Sequence, residues 1–157
     1  MPRGAIPALA LAVATLINGA SNSSAQQSTV DKVKEAIAAY HAALETLDVA
    51  KMAPLWVHDQ SVMLVNPRDT TAAIGWDAVE KDWEATFAPE SELKIEQTAG
   101  PYISVTGNIA WATGIVSSAI KLKSGQAVNA ATFQTDVFEK RGEKWMLVSH
   151  AAWRVPN

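Results

Sequence analysis

Asp136 and His150 are the two side chains best suited to moving a proton, and both fall in the last two segments of alternating apolar and polar residues. An imidazole titrates near neutral pH and can take up and return a proton; a carboxylate can do the same or hold the imidazole in place. Alternation puts Asp136 on one strand face with Gln134 and Phe138, opposite Phe133, Thr135 and Val137. A carboxylate buried alone is costly, so Asp136 is expected on a solvated outer face, with pairing inside a pocket as the alternative. The same rule groups His150 with Met146, Val148, Ala152 and Arg154, opposite Trp145, Leu147, Ser149, Ala151 and Trp153. There it is either a pocket acid or base, or a hydrogen-bonded sheet histidine.

Other chemistries find little support. His41 and His58 stand at no ligand spacing to each other or to His150, and the carboxylates are not clustered, so neither a metal nor a cofactor is expected. The chain has no cysteine, which excludes disulfides, thiolate ligands and a Cys nucleophile, and no G-x-S-x-G elbow is present for a serine. Asp59, Asp69 and Asp77 sit beside turns or a helix start, where capping explains them.

Helical patterns precede the alternating region. Ser28 and Asp31 have the form of a capping box opening a helix whose apolar residues fall at Val30, Val33, Ile37, Tyr40, Leu44 and Leu47, gaps of three and four that make one stripe. Tyr40 lies on that stripe as a core aromatic, its hydroxyl meeting a pocket or a backbone partner. Asp48 caps a short second helix that Pro54 should kink or split. Residues 61–65 read as a strand, and Trp76, Val79, Trp83 and Phe87 mark a third helix between Gly75 and Pro89. From Glu92 onward the period becomes two. Turn signals at Gly107-Asn108, Ser124-Gly125 and Arg141-Gly142 divide long antiparallel strands near 92–106, 109–122, 127–140 and 143–155. This order is α+β, with helices covering one face of a bent sheet.

The N-terminus has the order of a secretory leader: Arg3, an apolar run over 5–17, then small polar residues, with Ser23-Ser24-Ala25 offering a cleavage site. Residues 1–25 are expected to be a cleavable signal peptide and 26–157 a single domain, periplasmic or secreted. The apolar run is shorter than the roughly 20 residues that cross a bilayer, so no stable membrane anchor is expected after cleavage. Cleavage would remove Arg3 alone among the charged residues, shifting the formal charge from −3 to −4. An acidic chain without a basic run argues against a nucleic-acid partner.

Four stretches carry a likeness to a known family: Leu55-Trp56 with 59–65 and Asn66-Pro67; Gly75-Trp76-Asp77-Ala78-Val79; Gly107-Asn108-Ile109-Ala110-Trp111; and Thr135-Asp136-Val137-Phe138 through Trp145-Met146-Leu147-Val148. Their order over residues 30–153 resembles the nuclear transport factor 2-like (NTF2-like) superfamily, in particular its SnoaL-like branch. The resemblance implies an α+β fold in which a curved antiparallel sheet wraps around three N-terminal helices as a conical α+β barrel. In the ketosteroid isomerase members, a first-helix Tyr donates to an oxyanion and an Asp before a Pro moves the proton; Tyr40 stands at roughly the first position. Asn66 precedes Pro67, however, and an amide cannot shuttle a proton, so that route is not expected here.

A cone cannot close fully at its wide end, and the chain's six tryptophans supply aromatic wall. The expected pocket set is Tyr40, Trp56, Asn66, Trp83, Phe87, Trp111 and His150. The leading reading is an exported protein that binds a small, largely apolar molecule. Beside it stands an enzyme of the same fold, with His150 or Asp136 as base and Tyr40 as donor. A third reading is a module that dimerises through its sheet, as the related association domain of calmodulin-dependent kinase II assembles; a homodimer is expected on that analogy.

Overall fold

The computed structural model describes the backbone of residues 10–156 and the side chains of residues 25–156. Nearly all of the expected leader lies outside the described side chains. Helix α1 spans Ala10–Leu44. Val33, Ile37, Tyr40 and Leu44 are all buried, as their spacing requires. The helix does not start at Ser28. Thr29 donates its hydroxyl to the Ala25 carbonyl at 2.9 Å, and Asp31 accepts from Gln27 and Lys34 at 3.1 and 3.2 Å. Asp31 therefore serves pairs one turn away on a continuous helix instead of closing a capping box.

The Asp48 carboxylate accepts from the Ala50 N–H at 2.9 Å and caps α2 (Val49–Met52). Pro54 lies in the 3₁₀ turn Ala53–Leu55 that follows, so the proline does split this segment. Strand β1 (Met63–Val65) pairs with β2 (Ala73–Ile74), whose two residues are too short to show a period in the sequence. Helix α3 (Trp76–Phe87) buries Val79, Trp83 and Phe87. The remaining strands, β3 (Glu90–Thr106), β4 (Ile109–Leu122), β5 (Ala127–Arg141) and β6 (Lys144–Arg154), form an antiparallel meander.

Sheet order is β2-β1-β6-β5-β4-β3. The expected cone is present, with two refinements. Strand β1 runs parallel to β6, making the sheet mixed, and β2 and β3 are free edges, so it does not close into a barrel. The bend comes from bulges in β3 between Gln97 and Tyr102. Gly114 of β4 lies under them: a Cβ there would sit 2.5 Å from the Ala99 carbonyl oxygen, so only glycine allows the approach. The Gln97 side chain secures the bulge by donating to the carbonyls of Ala99 and Ile115 at 2.7 and 3.1 Å. The bent strand then meets the end of α1, where the Glu45 carboxylate accepts from the Ile95 N–H at 2.8 Å. Between sheet and helices, Tyr40, Trp56 and Phe138 are fully buried, each contributing about 1.5–3 kcal/mol by the burial of apolar surface.

Candidate functional site

The site depends on a bulge in β6. Pairing with β5 jumps from Val137–Ser149 to Phe138–Leu147, leaving Val148 without an opposite residue. One extra residue reverses the phase of alternation: Trp145 and Leu147 point inward before the bulge, and His150 and Ala152 point inward after it. The strict alternation expected for this strand therefore fails, and His150 shares a face with Trp145 and Leu147.

On β5, Thr132, Gln134, Asp136 and Phe138 are all buried on one face, as alternation predicts. That face is the inner one. Asp136 is 4% exposed and His150 2%, which corrects the expectation of a solvated carboxylate. Burial is tolerated because His150 Nδ1 lies 2.6 Å from Asp136 Oδ1. A carboxylate only accepts, so Nδ1–H donates and the lone pair of the neutral ring rests on Nε2.

Tyr40 packs behind this pair, its ring centroid 5.5 Å from that of His150 and 6.3 Å from that of Trp83. Its hydroxyl is buried without a hydrogen-bond partner. Burial, reinforced by the Asp136 charge, pushes the phenol well above its ordinary value of 10.0, so it stays protonated. His41, next along α1, also has a buried unpartnered nitrogen, Nε2. Burial lowers its pKa below 6.5, with the Asp136 charge pulling the other way.

His150 opens onto a cavity of about 210 Å³. Gln134 and Thr132 flank it on β5, joined by a 3.3 Å contact from the Gln134 amide to the Thr132 hydroxyl. Trp83 and Phe87 of α3 line one side, and Leu93, Ile95, Ile120, Leu122 and Val128 line the wall built by β3–β5. Asn66 also lines it. Its side-chain amide donates to Asp82 at 2.7 Å, and its backbone N–H donates to the Asp69 carboxylate. Burial raises the Asp82 carboxyl pKa, against the opposing pull of the Asn66 amide. Arg68 and Arg154, both exposed, stand at the rim.

Of the pocket set expected from sequence, Asn66, Trp83, Phe87 and His150 line the cavity. Tyr40 and Trp56 are buried in the core outside the lining, with ring centroids 6.3 Å apart, so Tyr40 is not in position to donate directly to a guest. Trp111 is a correction. It is 46% exposed on the outer sheet face, because β4 turns the small residues Ala110 and Ala112 inward. Sequence reasoning missed Gln134 and Thr132, although they share the alternating face of Asp136. It had no signal for Arg68 and Arg154, whose meeting at one rim depends on the pairing of β1 with β6.

Residues 33–152 match the model of the SnoaL-like domain. The chain belongs to the SnoaL-like domain family. No curated protein is significantly similar to this SnoaL-like chain in sequence. Among solved structures, a candidate dehydratase of the NTF2-like family from Streptomyces avermitilis superposes with a TM-score of 0.76 at 23% identity, covering 83% of the SnoaL-like chain and 99% of its own. An NTF2-like superfamily protein from Salmonella enterica serovar Typhimurium gives 0.76 at 20% identity, covering 83% and 94%. A candidate scytalone dehydratase from Novosphingobium aromaticivorans gives 0.74 at 12%, covering 85% and 89%. At these identities the SnoaL-like chain shares their fold.

Proposed function

We propose that this chain is an exported SnoaL-like enzyme that binds a small, largely apolar molecule in its cone and performs acid–base chemistry on it. One observation carries the reading: His150 lines the cavity while buried Asp136 holds its Nδ1, leaving Nε2 as the nitrogen for a guest. Apolar walls from α3 and β3–β5 exclude water from the guest and strengthen any charge that develops beside the imidazole. In this reading Nε2 removes a proton from a substrate carbon. His150 then returns it to another carbon, an isomerisation, or to a departing hydroxyl that leaves as water, an elimination. Asp136 stabilises the imidazolium formed between the two steps, and Tyr40 and Trp83 fix the ring by packing. The dehydratase designations of two structural relatives agree with this class of reaction.

The test is deuterium uptake from D₂O by 2-tetralone and 1-indanone, simple ketones with acidic carbon-bound protons, followed by NMR. Native protein should accelerate exchange and His150→Ala should not. Equal exchange with native protein, variant and buffer would reject the catalytic role; quenching of Trp83 fluorescence by the same ketones without exchange would leave a binding protein.

Export rests on the order of residues 1–25, and the N-terminus of protein recovered from cells should be Gln26. Dimerisation rests on the outer sheet face, where Trp111 and Trp153 are 46% and 50% exposed and Trp153 stacks on Phe133 at 5.2 Å.

A further inference from the structure

The cavity is asymmetric in charge. Its β3–β5 wall is largely apolar, broken by Glu90, Ser118, Thr132 and Gln134, whereas its rim carries Arg68 and Arg154, the latter beside Thr132 in the β5–β6 register. Parallel pairing sets Val65 beside Ala151, and each arginine lies three residues beyond its member of that pair, which places both on the same side of the mouth. Arg68 is engaged: it faces the buried Glu90 carboxylate at 3.8 Å. Among the described residues no carboxylate pairs with Arg154. His150, Ala152 and Arg154 all line the cavity from alternate positions of one strand, so the Cα atoms of His150 and Arg154 stand about 13 Å apart along the backbone. A separation of that order is the length of a fused-ring or medium-chain molecule.

We infer that the guest is an apolar acid: a hydrophobic body laid against β3–β5 with its reacting end at His150 and a carboxylate held by Arg154. This inference rests on the proposed occupation of the cone and names the chemical class of its occupant. The chain's net charge of −3 repels anions at long range, so selection of an acid falls to the local guanidinium. Arg154 is suited to it, presenting a planar fork of donors that matches a carboxylate at two points.

Calorimetric titration of the full chain with 2-naphthoate and with its neutral analogue 2-naphthamide tests the inference. Native protein should bind naphthoate at least about tenfold more tightly than the amide, the scale of one charged hydrogen bond. Arg154→Gln should bring naphthoate down to the amide's affinity and leave the amide unchanged, and Arg154→Lys should restore part of the preference. Equal binding of both probes by native protein would overturn the inference while leaving the cavity's occupation intact. A preference that survives Arg154→Gln would overturn the role of this arginine. Failure of both probes to bind would remove the underlying reading and the inference with it. If Arg154→Gln does not fold, the native preference must shrink as salt is raised, and a salt-independent preference overturns the inference.

Discussion

His150 and Asp136 stand directly opposite each other on β6 and β5, and the 2.6 Å contact between them is buried beside the cavity. The register that follows the Val148 bulge brings them together, because each is the residue its neighbouring strand offers at that rung. The carboxylate should therefore dictate the imidazole tautomer. Nitrogen-15 NMR of the native chain should show the Nδ1–H form of neutral His150, and Asp136→Ala should shift it toward the Nε2–H form that free imidazole side chains prefer. The same variant should slow any turnover by about 10²–10⁴, the range for loss of a group that orients a catalytic histidine. An unchanged tautomer in Asp136→Ala would dissociate the pair from catalysis.

Tyr40 should separate stability from function. Its buried hydroxyl has no partner, so Tyr40→Phe should leave the fold as stable or raise its stability by about 1 kcal/mol. The folded phenol titrates above its unfolded value of 10.0, so its contribution to stability is whole below pH 10.0 and is lost as the pH rises beyond it. Thermal melting between neutral pH and pH 11 should accordingly fall less steeply for Tyr40→Phe than for native protein. A marked loss of stability in the variant at neutral pH would mean that the hydroxyl has a bound partner.

His41 should make the chain acid-sensitive. Burial holds its folded pKa below 6.5, so the unfolded chain takes up the proton first. Its contribution is present above pH 6.5 and is lost as the pH falls toward the folded value. Melting temperatures of native protein and His41→Gln should diverge between pH 7.5 and pH 5, with the native chain losing more. Parallel curves would contradict this.

The outer sheet face should set the oligomeric state. Trp111→Glu with Trp153→Glu places charge on two exposed aromatics and should convert a dimer to monomer in analytical ultracentrifugation without lowering the monomer's stability by more than about 1 kcal/mol. A native chain that sediments as a monomer at micromolar concentration would end the dimer reading.

Much of the architecture was written in local pattern. The spacing of Val33, Ile37, Tyr40 and Leu44, the run Trp76 to Phe87, the proline at 54 and the three turns between long strands each act within a few residues, so sequence by itself determined the helices, the meander and the α+β class. It also put Asp136 on one face with Gln134 and Phe138. Which face of the sheet was inside, however, is a property of how helices and strands pack, and nothing local to β5 reports it. The Val148 bulge is equally non-local: the extra residue exists only relative to the partner strand, and it alone turns His150 inward with Trp145 and Leu147. The same holds for the rim, where Arg68 and Arg154 lie far apart in sequence and share one side of the mouth through the parallel pairing of β1 with β6. Tertiary structure thus decided that the Asp136–His150 pair is buried and what charge stands at the cavity's opening. The first depends on which sheet face meets the helices and on the Val148 bulge, and the second on the pairing of the sequence-distant strands β1 and β6.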